Sequence, residues 1–156
     1  MMMKEDQKNK IPEDILKQLL SVDPETVYAS GYASWQEGDY SRAVIDFSWL
    51  VMAQPWSWRA HIALAGTWMM LKEYTTAINF YGHALMLDAS HPEPVYQTGV
   101  CLKMMGEPGL AREAFQTAIK MSYADASWSE IRQNAQIMVD TLIALNCQTK
   151  CNDFLK

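Results

Sequence analysis

Charge is scarce in this chain. Of its 156 residues only 20% are Asp, Glu, Lys or Arg, the net charge is −5, and the only basic cluster is the short Lys4–Lys10 segment. A nucleic-acid binder needs a positive patch to displace phosphate counterions, so direct nucleic-acid recognition is excluded. Long apolar runs are missing too. No stretch approaches the roughly 20 residues of a membrane span, and the N-terminus has no apolar signal region with a cleavage site. These absences point to a protein that works in the cytosol and does not insert into membranes. Cysteines number three, too few for a disulfide framework. Cys101 falls in a helical pattern and reads as a small buried apolar side chain. Cys147 and Cys151 lie one helical turn apart but lack His or acidic neighbours, so no metal site is expected. The histidines His61, His83 and His91 are scattered along the chain, in a repeat core, on a flank and in a loop. No nucleophile or metal spacing accompanies them, and neither catalysis nor a cofactor is predicted.

What the chain does have is apolar surface and periodicity. Apolar residues make up 49%, with 11 Met and 6 Trp. Such side chains serve either a helical core or a surface that adapts to apolar partners. Ala43, Ala77 and Ala111 recur every 34 residues, as do Phe47, Tyr81 and Phe115, and Gly31, Ala65 and Gly99. That interval, with small residues twelve apart and an aromatic four later, is the tetratricopeptide signature. Two helices approach closely at the small residues, and the aromatic fills the space between hairpins. One hairpin cannot bury its own apolar face, so hairpins stack. The predicted fold is all-α: three tetratricopeptide hairpins in a short right-handed solenoid, with an N-terminal helix and a C-terminal capping helix.

Local signals set the boundaries. Residues 1–23 comprise a polar tail over 1–10 and a short amphipathic helix opened by Pro12-Glu13-Asp14. Its stripe of Ile15, Leu16, Leu19 and Leu20 is too short to be stable undocked. The repeats are expected over 24–57, 58–91 and 92–125. Asp23-Pro24-Glu25 starts the first, Gly38-Asp39 turns it, and Pro55 ends it. Lys72-Glu73-Tyr74 stands in for the glycine turn in the second repeat, and Gly106-Glu107-Pro108 turns the third. Ser127 and Glu130 have capping-box spacing, opening a capping helix over 126–146 through Ile131, Ile137, Met138, Leu142 and Leu145. A frayed tail is expected over 147–156.

In stacked hairpins of this kind the first helix of each lines the concave side. Positions spaced i, i+4, i+7 select Tyr28, Tyr32 and Trp35, then Ile62, Gly66 and Met69, then Tyr96, Val100 and Lys103. Arg59 and Lys103 are the basic residues there, too few for a clamp on a C-terminal carboxylate. The face suits an extended apolar segment, and each buried anchor side chain would contribute roughly 1.5–3 kcal/mol. Tyr28 and Tyr96 have a second role open to them, packing between neighbouring hairpins.

The segment Val27-Tyr28-Ala29-Ser30-Gly31-Tyr32 through Trp35, Gly38, Tyr40 and Ala43 resembles the first repeat of the class II chaperones of type III secretion, the SycD/LcrH/IpgC group. Phe47-x-x-Leu50, Ala77-Ile78-x-x-Tyr81 and Leu87-Asp88 continue the resemblance, which covers residues 15–125, and SscB-like members are similar. Gln54-Pro55, Ala65, Trp56 and Trp58 depart from the family pattern. The resemblance implies a chaperone in the bacterial cytoplasm that holds a secreted hydrophobic translocator or membrane-active effector before export. It places the client in the groove of Tyr28, Tyr32 and Trp35. It also implies a client-free homodimer through the N-terminal helix or first repeat, which would give Ile15, Leu16, Leu19 and Leu20 their partner, and for some members a transcription-factor partner. The alternative on the residues alone is a scaffold or regulatory adaptor that binds a folded partner.

Overall fold

Eight α-helices follow one another in the computed structural model, which describes residues 12–155. They are α1 (Glu13–Leu20), α2 (Pro24–Gln36), α3 (Tyr40–Ala53), α4 (Trp58–Met70), α5 (Tyr74–Leu87), α6 (Glu93–Met104), α7 (Pro108–Ser122) and α8 (Ser129–Phe154). No strand occurs among the described residues. The polar segment 1–10 lies outside them, as do the side chains of Leu19 and Leu20.

Capping residues fix the helix starts. The Asp23 carboxylate accepts from Thr26 N at 3.2 Å and Thr26 Oγ1 at 2.9 Å, with Pro24 at the first position of α2. Asp39 accepts from Arg42 N at 3.1 Å ahead of α3, and Ser57 Oγ from Ala60 N at 3.3 Å ahead of α4. Between the helices of each hairpin, one residue enters the left-handed region: Gly38 (φ 80°), Lys72 (φ 63°) and Gly106 (φ 80°), at 34-residue intervals. Each turn closes with the same backbone bond from the next residue, Asp39 N to Ser34 O, Glu73 N to Trp68 O and Glu107 N to Leu102 O, at 2.9–3.0 Å. This is the six-residue closure of a Schellman turn.

Helices pack in chain order, α2 on α3, α3 on α4, and so on to α7 on α8. The 34-residue set forms the core: Ala43, Phe47, Ala65, Ala77, Tyr81, Ala111 and Phe115 are all buried. At the first and third crossings the helices come so close that a Cβ on Gly31 would sit 2.8 Å from Phe47 Cε1, and one on Gly99 2.8 Å from Phe115 Cε1. Buried Cys101 joins the middle cluster with Ala65, Ala77 and Tyr81, and burial pushes its thiol up to about 11, so it stays protonated and inert.

Three expectations at the C-terminus are corrected. The Ser127–Glu130 capping box does not form. Asp125 accepts from Ser127 N at 2.8 Å and closes a 3-10 turn over Ala126–Trp128, and α8 begins at Ser129 without a side-chain cap. The helix does not fray after residue 146 but continues through Phe154, with no Gly or Pro interrupting it. Its buried stripe is Ala135, Val139 and Leu142, with Met138 packed alongside; half-exposed Leu145 lines a cleft with Pro108, Gly109 and Arg112 of α7, whereas Ile137 faces outward. At the other end, α1 has Ile15 and Leu16 exposed and is not among the helices that pack extensively on one another.

Candidate functional site

The expected groove residues come from α2, α4 and α6, the first helix of each hairpin. On α2 the i, i+4, i+7 spacing brings three rings into a ladder. Tyr28 and Tyr32 stack with centroids 6.5 Å apart and planes 9° from parallel, and Tyr32 and Trp35 at 6.3 Å and again 9°. The ladder is anchored at both ends. Tyr28 leans on Phe47 in the core at 5.6 Å, and Trp35 meets Tyr40 edge-on at 6.1 Å. Its middle is open, with Tyr32 47% exposed. An aromatic surface held at its ends and bare at its centre presents rigid apolar area, and Tyr32 adds a hydroxyl for a backbone contact.

Farther along, Ile62 and Met69 on α4 and Tyr96 and Val100 on α6 are half-buried. Ile62 and Met69 pack against the middle core cluster, and Tyr96 and Val100 against the last. Tyr96 lies 5.5 Å from Phe115, repeating the contact of Tyr28 with Phe47 one solenoid end away. In each tyrosine an inner ring face packs on the phenylalanine of its own hairpin while the residue stays half accessible. Burial raises the Tyr96 phenol above its ordinary value. Lys103, on the same line of α6, places Nζ 3.7 Å from Met138 Sδ and ties the groove's far end to α8.

Arg59 holds a place that its residue type alone does not reveal. Its guanidinium sits 3.5 Å over the Tyr28 ring and bonds Glu25 at 3.1 Å, so one cation bridges α2 and α4 across the groove floor and covers one end of the ladder. The signal was present in the spacing, since Arg59 and Glu25 share one repeat position 34 residues apart. The histidines are less dispersed than the sequence predicts. His61 and His83 meet edge-on at 5.7 Å, with Phe80 beside both, because α4 and α5 fold back on each other. Buried His61 donates Nε2–H to the Pro55 carbonyl at 2.9 Å, whereas His83 is exposed. His91 lies between Trp58 at 4.6 Å and Trp128 at 5.4 Å, an aromatic seam along the loop edge. Among the described residues, no His, Cys, Asp and Glu group could hold a metal ion, and no helix is long and apolar enough to cross a membrane.

No family profile matches the sequence, and no curated protein matches it. Solved structures do match in three dimensions. The chain superimposes on PcrH, a Pseudomonas aeruginosa protein, in complex with the chaperone binding region of PopD, at TM-score 0.72 and 23% identity over 87% of this chain and 96% of that one. It superimposes on the Yersinia enterocolitica type III secretion chaperone SycD with a peptide of the translocator YopD, at TM-score 0.71 and 21% identity, over 88% of this chain and 99% of that one. An alternative dimer of SycD gives TM-score 0.75 and 20% identity, over 79% and 93% of the two chains. The fold of this chain is that of the type III secretion translocator chaperones.

Proposed function

We propose that this protein is a type III secretion chaperone that binds hydrophobic segments of a translocator or membrane-active effector and masks them in the bacterial cytoplasm before export. The observation that carries this reading is the Tyr28–Tyr32–Trp35 ladder: near-parallel rings, open at Tyr32, on a fold shared with chaperones solved with translocator segments. The mechanism is burial without chemistry. A client segment lies across Tyr28, Tyr32, Trp35, Ile62, Met69, Tyr96 and Val100, its apolar side chains leave water, and the tyrosine hydroxyls meet its backbone. Arg59 limits access at the Tyr28 end and offers the client's backbone carbonyls a donor once Glu25 releases it. Neither nucleotide nor metal takes part. In the absence of client the chain forms a homodimer through α1, whose Ile15 and Leu16 are exposed. Such a dimer joins two apolar stripes that are too short to remain helical alone. A charge placed at Leu16 is expected to yield monomer by sedimentation.

The test of the client is affinity capture from a bacterium carrying the surrounding operon, with bound proteins identified by mass spectrometry. Recovery of one protein with membrane-spanning segments, insoluble when expressed alone, is expected. Recovery of soluble, independently folded partners alone would overturn the reading in favour of an adaptor, the transcription-factor partner included.

A further inference from the structure

The three hairpins offer an internal reference for what a solvated outer surface looks like. On α3, Ile45, Trp49 and Met52 follow i, i+4, i+7 spacing and share one face. Ile45 is 68% exposed and Met52 81%, Trp49 is half-buried, and Trp56 just beyond the helix end is 72% exposed. Thirty-four residues later the same positions hold Asn79, His83, Met86 and Ser90, and a further 34 later Glu113, Thr117, Lys120 and Ala124, all exposed. Repeat geometry alone therefore does not call for apolar side chains here. The third hairpin is polar at three of these positions with a small alanine at the fourth, the second keeps one methionine, and the first is apolar at all four. Only a surface that spends its time covered sustains that difference.

Three physical points select what covers it. Unlike the groove, which has tyrosine hydroxyls, this stripe offers no backbone partner and only the Trp49 indole N–H, so an extended segment laid on it would leave its N–H and C=O groups without partners. The occupant must satisfy its backbone internally, and is a helix. The patch is also small. A stable interface between copies buries about 800 Å² per partner; a fully buried aromatic supplies at most roughly 250 Å², and here only Trp49 and Trp56 are aromatic, with Trp49 already half-buried, so the patch falls short of sustaining a dimer by itself. A small patch contributes substantially when its occupant is already tethered nearby, since tethering replaces a bimolecular step with an intramolecular one. Finally, the stripe lies on α3 and the aromatic ladder on α2, so both can be occupied at once.

We propose that Ile45, Trp49 and Met52 form a second client site, which takes an amphipathic helix of the same client whose extended segment occupies the groove. This rests on the chaperone reading, which supplies a client with apolar helices to cover. Two turns of helix with apolar residues at i, i+3 or i+4, and i+7 match the stripe's length, about 10 Å at 1.5 Å per residue.

The experiment is photo-crosslinking in the operon-bearing bacterium, using the full chain with benzoylphenylalanine replacing Tyr32 in one variant and Met52 in another. Both positions are exposed, and far-UV circular dichroism checks that folding is retained. The expected result is one protein captured at both positions, with adducts mapped by mass spectrometry to two segments, the one at position 52 having helical apolar periodicity. Ile45→Glu with Met52→Glu is expected to weaken the purified complex about tenfold or more, and Glu113→Ala on the third hairpin to leave it unchanged. Capture of a second copy of this chain at position 52 would overturn the proposal, as would no capture there while position 32 captures its client. Failure of position 32 to capture a hydrophobic client would instead remove the chaperone reading, and this inference with it.

Discussion

The first and third hairpins solve the same packing problem one way, and the second solves it another. In the outer two, a glycine at the crossing faces a phenylalanine ring with no room for a methyl, and a glycine takes the left-handed turn position. In the middle one, the crossing residue is Ala65 against the cluster of Tyr81, and the turn residue is Lys72 at φ 63°. Close approach and backbone freedom are thus supplied by glycine at both ends of the solenoid, where one side of each hairpin lacks a repeat neighbour. The middle hairpin is flanked by α3 on one side and α6 on the other. It accommodates a methyl at its crossing, on Ala65, and a turn that costs an L-residue about 1–2 kcal/mol. Repeat proteins share stability with neighbours, and here the hairpin with two neighbours carries the poorer local choices.

The comparison can be broken at several points. The largest effect is expected from Phe115→Ala. Phe115 is wholly buried against Gly99 and caps the last repeat, so the variant should lose about 3–5 kcal/mol in urea unfolding. Gly99→Ala comes next. The new methyl meets three Phe115 ring atoms at 2.8–3.1 Å, and overpacking of this kind costs about 1–3 kcal/mol, although alanine is the native residue at the matching position 65. A neutral Gly99→Ala would mean the third crossing is no tighter than the second. Lys72→Gly should change stability in the opposite direction, raising it by about 0.5–1 kcal/mol, because relief of the left-handed strain exceeds the added chain entropy of glycine. A loss there would show that Lys72 is not strained.

Acid should act on the caps with a smaller effect. The Thr26 hydroxyl holds Asp23 below its ordinary value, the Ser90 hydroxyl does so for Asp88, and the Ser127 amide for Asp125. A carboxylate with a depressed folded pKa contributes stability above its unfolded value, here 3.8, and loses it as pH falls through the folded value. Thermal unfolding followed from pH 5 down should therefore decline below about pH 4, and Asp88→Asn should flatten part of that decline.

The repeat architecture was legible because its determinants are local and periodic: the crossing residues, the aromatics and the turns all recur at 34, and the ladder of Tyr28, Tyr32 and Trp35 follows from helical spacing. What was misread depends on contacts the pattern does not encode. The sequence places the end of α8 where apolar periodicity weakens, yet no Gly or Pro interrupts the segment and the helix runs on through Phe154. Ile137 is apolar but lies off the stripe set by α7, which takes Ala135 and Val139 instead. Asp125 outcompetes the Ser127–Glu130 box because it reaches the Ser127 amide first. The meeting of His61 with His83, and of Arg59 with Tyr28, joins different helices, and only the fold brings them together.

The most direct test of the account is the affinity of Tyr32→Ala with Trp35→Ala for the hydrophobic protein recovered by affinity capture, measured alongside far-UV circular dichroism. Loss of two apolar anchors at roughly 1.5 kcal/mol or more each predicts binding weaker by about a hundredfold, with helicity unchanged. Unchanged affinity in a folded variant would contradict the aromatic ladder as the client site.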